Sequence, residues 1–249
     1  MNDVIQTLLQ HRSIRKFENR LLDKEQIEAI VTSAQAASTS SNVQAYAIIG
    51  ITDQYKKERL AQLSGDQPYV AKNGHLFIFC ADLYRHKVIA ETEQVDFSET
   101  LQSTEMYTVA VIDAALAAQN AAIAAESLGL GICYIGGLRN ELYEVSKLLQ
   151  TPEHVFPLFG LVVGYPAHTP EQKPRLPMSA MYYEEQYVHD TQKVRTSIEQ
   201  YNDELRNYYD SRAKNSRLDT WSKQIIRKMS VPSRIYLKDF LKSKGFPMK

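Results

Sequence analysis

Apolar positions along this 249-residue chain alternate between helical and strand spacing almost from the start. Val4, Ile5, Leu8 and Leu9 share one face at helical spacing, and Ile27, Ile30, Val31 and Ala34 repeat the pattern. Asp23, with Gln26 three residues on, reads as the capping box that starts the second helix. Ser38–Ser41 reads as a loop. Tyr46–Ile51 and Leu76–Ala81 are short continuous apolar runs, the mark of buried strands, with a helix over Tyr55–Leu63 between them. Val109–Leu130 contains nine alanines, so another backbone can approach it closely and it belongs at the centre of the fold. A strand over Ile132–Ile135 ends at Gly136-Gly137. A helix carrying Leu142, Val145, Leu148 and Leu149 follows, and then a strand over Phe156–Val163. Beyond Pro166 the chain turns polar, becomes helical from about 191 to 214, and has further helical segments near Trp221 and Leu237. Interleaved strands and helices imply an α/β or α+β fold with both sheet faces covered.

Composition narrows the functional classes. The 44% apolar content is enough for a sizeable core, and one domain over 1–249 is ordinary at this length. The net charge is +0, so no global field points to nucleic acid or an anionic membrane. That zero is unevenly built: residues 191–249 hold 14 Lys/Arg and 6 Asp/Glu, the other 190 residues 15 and 23. Charge pairing within the molecule accounts for this as simply as an anionic ligand does. Asp113, Gln119, Asn120 and Glu126 interrupt the alanine-rich stretch, which reads as a buried helix, not a membrane span. The only cysteines, Cys80 and Cys133, sit in separate apolar runs, so neither a disulfide framework nor a metal site is expected and a reducing cytoplasm fits. The N-terminus lacks the basic and apolar regions of a signal peptide.

Three polar or glycine clusters stand out. His11-Arg12-Ser13-Ile14-Arg15 could bind an anion, and taken alone is equally a solvated basic turn. Lys173-Pro174-Arg175 splays two cations about an extended proline, or is an exposed loop. Gly136-Gly137 offers bare backbone N–H groups to a planar ligand, or is a plain turn. Gly129-Leu-Gly131 precedes a strand, where a Rossmann turn would follow one, so a dinucleotide fold is excluded.

Together, Glu126–Gly131, Tyr134–Asn140, Lys173–Pro177, His11–Arg15 and Asp219–Ser222 closely resemble the oxygen-insensitive NADPH nitroreductases and NADPH–FMN oxidoreductases, in order along nearly the whole chain. The resemblance implies an α+β flavoprotein with a central mixed sheet flanked by helices, and a homodimer with non-covalent FMN at the interface. A helical extension, about 191–249, would reach over the partner subunit and serve the NADPH site. By position, His11, Arg12, Ser13, Lys173 and Arg175 would surround the FMN phosphate, with Ile14, Tyr134 and Ile135 lining the cofactor. Arg15 would reach the N1/O2 edge of the ring and the Gly136 N–H its N5, beside Gly137. Thr39, where the family more often has Ser, and Gln67 would hydrogen-bond the ribityl chain or pyrimidine. Glu105 would line the substrate pocket, or is an ordinary surface acid. Arg212 and Arg217 would grip NADPH; without the resemblance they read as a solvated turn. The implied activity is ping-pong: NADPH gives hydride to FMN N5, then a nitroaromatic, a quinone or free flavin is reduced, with no side chain as essential acid–base. A dedicated FMN reductase supplying reduced flavin, or a non-catalytic flavin-binding redox module, are the other readings. No metal is implied.

Overall fold

The computed structural model describes residues 1–211 and 219–246. The chain divides into two compact units, Met1–Pro170 with Arg234–Lys249, and Glu171–Ser233.

In the first unit the helices are α1 (Asp3–Leu9), α2 (Lys24–Gln35), α3 (Gln54–Leu63), α4 (Pro68–Ala71), α5 (Tyr84–Thr92), α6 (Ser98–Leu101), α7 (Thr104–Ser127) and α8 (Leu142–Leu149). The strands are β1 (Tyr46–Ile51), β2 (His75–Asp82), β3 (Gly131–Ile135) and β4 (Val155–Gly164), in spatial order β1-β2-β4-β3. All three pairings are antiparallel. The sheet is therefore antiparallel, not mixed as expected; the parallel Ser13–Ile132 contact is an isolated bridge outside the named strands.

Every residue of β2 is buried because the strand is central and covered on both faces. Side chains alternate across a strand. Phe77, Phe79 and Ala81 therefore enter one core with Ile30 and Ala34 of α2 and the alanines of α7. Leu76, Ile78 and Cys80 enter a second core with Leu60 of α3 and Val145 of α8. The continuous apolar run in the sequence is this two-sided burial.

The capping box of α2 forms as expected, Gln26 N–H donating to Asp23 Oδ1 (2.7 Å) and Asp23 N–H to Gln26 Oε1 (3.2 Å). Helix α7 starts five residues before the apolar pattern does. Its first turn is polar and capped by Ser103, whose hydroxyl accepts from Met106 N–H (3.1 Å). Its alanines at 110, 114, 117, 118, 121, 122 and 125 are buried, which brings the backbone close to the sheet and to α2. Among the described residues, α7 is the one helix long and apolar enough to cross a membrane, and half of its most apolar stretch is buried inside the protein.

In the second unit, α9 (Thr191–Asp210) starts at Asp190, which accepts from Gln192 and Lys193 N–H. It buries Tyr201, Leu205 and Tyr209, one residue per turn. Helix α10 (Trp221–Met229) packs Trp221 edge-on against Tyr201, ring centroids 5.8 Å apart, and Arg227 pairs with Asp219 at 2.7 Å. After Ser233 the chain returns to the first unit. There α11 (Leu237–Ser243) and Phe246 place Phe240, Leu241 and Phe246 in the α2/α7 core.

Candidate functional site

The His11–Arg15 segment is fixed to the edge of β3. Ile14 N–H donates to the Ile132 carbonyl (2.8 Å), and the buried Ile14 side chain fills the space opposite Gly131. A Cβ on Gly131 would lie 2.5 Å from Ile14 Cγ1, so glycine is what admits the segment. The neighbours of Ile14 remain polar and accessible. His11 Nδ1 lies 2.7 Å from Glu126 Oε1 in the last turn of α7. Arg12 Nε donates to the Gln10 carbonyl (2.9 Å). Ser13 lies near the Cys133 thiol, whose pKa burial pushes up while Arg15 and Ser13 oppose the rise.

A chain of polar contacts leads from Arg15 to the glycine turn. Arg15 lies near the Tyr69 hydroxyl, and that hydroxyl donates to Gln67 Oε1. Burial raises the Tyr69 pKa, with Arg15 opposing. Gln67 Nε2 in turn donates to the Ser64 carbonyl (2.5 Å). A Cβ on Gly137 would sit 2.4 Å from that carbonyl oxygen and 2.6 Å from Gln67 Nε2. Side chain is excluded there, and backbone is left beside an oriented amide and a cation.

The turn Gly136–Asn140 continues β3 and is held from below. Arg139 Nη1 donates to the Leu158 carbonyl (2.5 Å), and the Tyr236 hydroxyl donates to the Arg139 carbonyl (2.8 Å) while accepting from Leu142 N–H (2.9 Å). Arg234 grips Asn140 Oδ1 through Nε (3.1 Å) and Nη2 (2.9 Å). Of the flanking residues, Ile135 is buried, and Tyr134 reaches back to Gln119 Oε1 (3.4 Å).

Thr39 is half-buried and starts a short turn, Ser40–Asn42, in a strained loop. Ser41, Asn42 and Gln44 have φ of 45, 57 and 52°, where side chains crowd the backbone. The fully buried Asp113 carboxylate of α7 accepts from Ser40 N–H (3.1 Å) and Ala45 N–H (3.0 Å), clasping both ends.

The structure therefore brings Gln67 against the Gly137 turn, sets Arg15 and Ser13 near Tyr69 and Cys133, and sets His11 against Glu126. Thr39 stands apart, at the start of the loop that Asp113 clasps. Glu105 is exposed in the first turn of α7. Lys173 and Arg175 are exposed in the second unit, where Arg175 Nη1 donates to the Lys173 carbonyl (2.7 Å), Lys173 lies over the Tyr209 ring and Tyr201 bonds the Pro174 carbonyl. Arg212 and Arg217 lie outside the described residues. Sequence reasoning missed Tyr69, Asp113, Arg234 and Tyr236, because each acts by long-range contact and none lies in one of the sequence motifs. Glu126 and Arg139 were visible in their motifs without a role. Among the described residues, no group of three His, Cys, Asp or Glu is placed to hold a metal ion.

The donor set suits a planar, anionic cofactor. It offers bare glycine backbone, an amide fixed at both ends, and cations at Arg12 and Arg15. The fold is that of a flavoprotein reductase, and the chain belongs to the nitroreductase family. Residues 8–165 match the nitroreductase family domain and 173–249 its C-terminal domain. The chain is 56% identical over 246 residues, 99% of each sequence, to the FMN reductase (NADPH) of Bacillus subtilis (strain 168). It is 43% identical over 246 residues to the Cr(VI) reductase of Pseudomonas sp. (strain G-1), covering 99% of this chain and 100% of that protein. The structure of NfrA1 from B. megaterium superposes with a TM-score of 0.97 at 56% identity, covering 99% of this chain and 100% of that one.

Proposed function

We propose that this protein is an FMN-containing, NADPH-dependent oxidoreductase. The observation that carries the reading is the full-length 56% identity to an FMN reductase (NADPH), supported by a bare glycine turn beside the fixed Gln67 amide. When bound, FMN supplies the chemistry, accepting hydride from NADPH at N5 and passing reducing equivalents to an acceptor.

Arg12, Ser13 and His11 bind the phosphate, with Lys173 and Arg175 as further cations; charge-assisted hydrogen bonds to a dianion are the strong kind. Arg15 holds positive charge at the N1/O2 edge, oriented by Tyr69. The Gly136 N–H faces N5, and the clamp from Tyr236 and Arg234 keeps the turn in register. Gln67 and Thr39 bond the pyrimidine or ribityl chain, while Ile14, Tyr134, Ile135 and Gly137 line the cofactor. Glu105 borders the substrate pocket, and Arg212 with Arg217 select NADPH by its 2′-phosphate.

No side chain would be needed to move a proton in the first half-reaction, since the bound cofactor would supply the hydride chemistry. Coenzyme and acceptor share one open face, so the kinetics are ping-pong. Acceptors are small oxidants such as nitroaromatics, quinones or free flavin; the FMN reductase name of a relative favours free flavin. The protein works as a homodimer in the cytoplasm, consistent with two buried free thiols and an uncovered apolar α1.

Anaerobic addition of NADPH to the purified yellow protein is expected to bleach the flavin absorbance, and double-reciprocal plots at several acceptor concentrations to run parallel. Colour that persists would leave a binding module instead of an enzyme, and intersecting lines would require a ternary complex.

A further inference from the structure

The His11–Glu126 pair joins residues 115 positions apart in sequence at a distance of 2.7 Å, both side chains partly shielded. Glu126 sits where an acid is least favoured. It is in the last turn of the 24-residue α7, close to the negative end of the helix dipole, and that turn has no basic residue. A locally unfavourable residue with a specific long-range partner signals a role outside the helix itself.

We propose that Glu126 is a positioning residue for the cofactor phosphate, acting through His11. The inference rests on the reading above that His11 meets the FMN phosphate. A carboxylate only accepts hydrogen bonds, so the ring nitrogen facing it, Nδ1, is an N–H donor. Glu126 thereby fixes the ring and leaves Nε2 as the nitrogen available to a ligand. Phosphate oxygens also only accept. The ring serves both partners by donating from both nitrogens, and in that state it is positively charged. Glu126 accepts from Nδ1 at 2.7 Å, while its repulsion of the phosphate acts across the width of the ring, where Coulomb energy has fallen. Arg12 and Glu126 also line one cavity of about 200 Å³ with Thr7, Gln10 and Thr169, so carboxylate and cation border the same space.

The test titrates full-length apoprotein with FMN and with riboflavin, which lacks the phosphate, in wild type, Glu126→Gln, His11→Ala and the double variant. Glu126→Gln is expected to weaken FMN about five- to tenfold, the difference between a charged and a neutral hydrogen bond. It is expected to leave riboflavin affinity unchanged, and its effect to vanish in the His11→Ala background. Unchanged or tighter FMN binding by Glu126→Gln, while His11→Ala weakens it, overturns the inference and spares the reading of His11. Equal weakening of both flavins makes Glu126 merely structural and also overturns it. If His11→Ala itself leaves FMN affinity intact, the phosphate role of His11 falls and the inference with it. A measurement independent of any variant is NMR of wild-type protein with FMN bound, where the His11 ring is expected to carry N–H protons on both nitrogens; a single N–H overturns the proposal.

Discussion

His75 opens β2 with only 5% of its surface exposed, its Nε2 without a hydrogen-bond partner and its ring 4.4 Å from that of Phe77. Burial first, and then the ammonium of buried Lys57, push its pKa down to about 4. The folded protein therefore keeps His75 neutral while the unfolded chain takes up a proton near pH 6.5. Between those values the unfolded state binds more protons, so stability falls as pH drops from about 6.5 through 4. The full effect is on the order of 3 kcal/mol. Urea unfolding of wild type and His75→Gln at pH 7 and pH 4.5 should show the steeper loss in wild type; equal losses would place the acid sensitivity elsewhere. At the same scale, the phosphate cations are testable by retention of flavin. Each charged hydrogen bond contributes about 1.5–3 kcal/mol, so Arg12→Ala with Arg175→Ala should weaken FMN by a hundredfold or more. A double variant that keeps full flavin after gel filtration would show that these cations do not hold it.

The elements act as mounts for loops that would not hold their shape alone. The Thr39–Ala45 loop contains three left-handed non-glycine residues, and such conformations persist only where their surroundings impose them. Here the main constraint is one carboxylate on α7, seated between two backbone N–H groups. His86 and Arg85 of α5 add bonds to the Val43 and Gln44 carbonyls, at 2.9 and 3.0 Å. Asp113→Ala strands both N–H groups, each costing about 1–3 kcal/mol. Chemical denaturation should show a loss of roughly 3 kcal/mol, with Asp113→Asn losing about half because one acceptor survives. A change below about 0.5 kcal/mol, the size of an ordinary surface substitution, would mean that the loop holds itself.

For the whole molecule, the surface is informative where it is apolar. No residue of α1 is buried, and Val4, Ile5, Leu8 and Leu9 are 42–59% exposed. Ile112 and Leu116 of α7, against which α1 packs, are 50% and 44% exposed. Apolar surface of this kind on adjacent helices marks an association face. Light scattering is expected to report twice the 28.4 kDa chain mass, and Ile112→Glu with Leu116→Glu to shift it toward one. A 28.4 kDa wild-type species with flavin bound would refute the dimer.

What the sequence determined by itself was local. Continuous apolar runs and period-3.6 patterns placed the four strands and most helices, because burial is written in consecutive residues. Boundaries slipped where polarity masked them: α7 begins at Thr104 under a polar first turn, and β4 runs on to Gly164. The candidate motifs were also legible, since His11–Arg15 and Gly136–Gly137 each lie within a few residues. Only the tertiary structure decided who meets whom. A local pattern says which face must be covered, and long-range packing selects the cover. It set the strand order β1-β2-β4-β3 and seated Asp113 between Ser40 and Ala45. It returned residues 234–246 to the first unit, with Arg234 and Tyr236 beneath the glycine turn. And it set Glu126 against His11, a contact that no spacing in the sequence encodes.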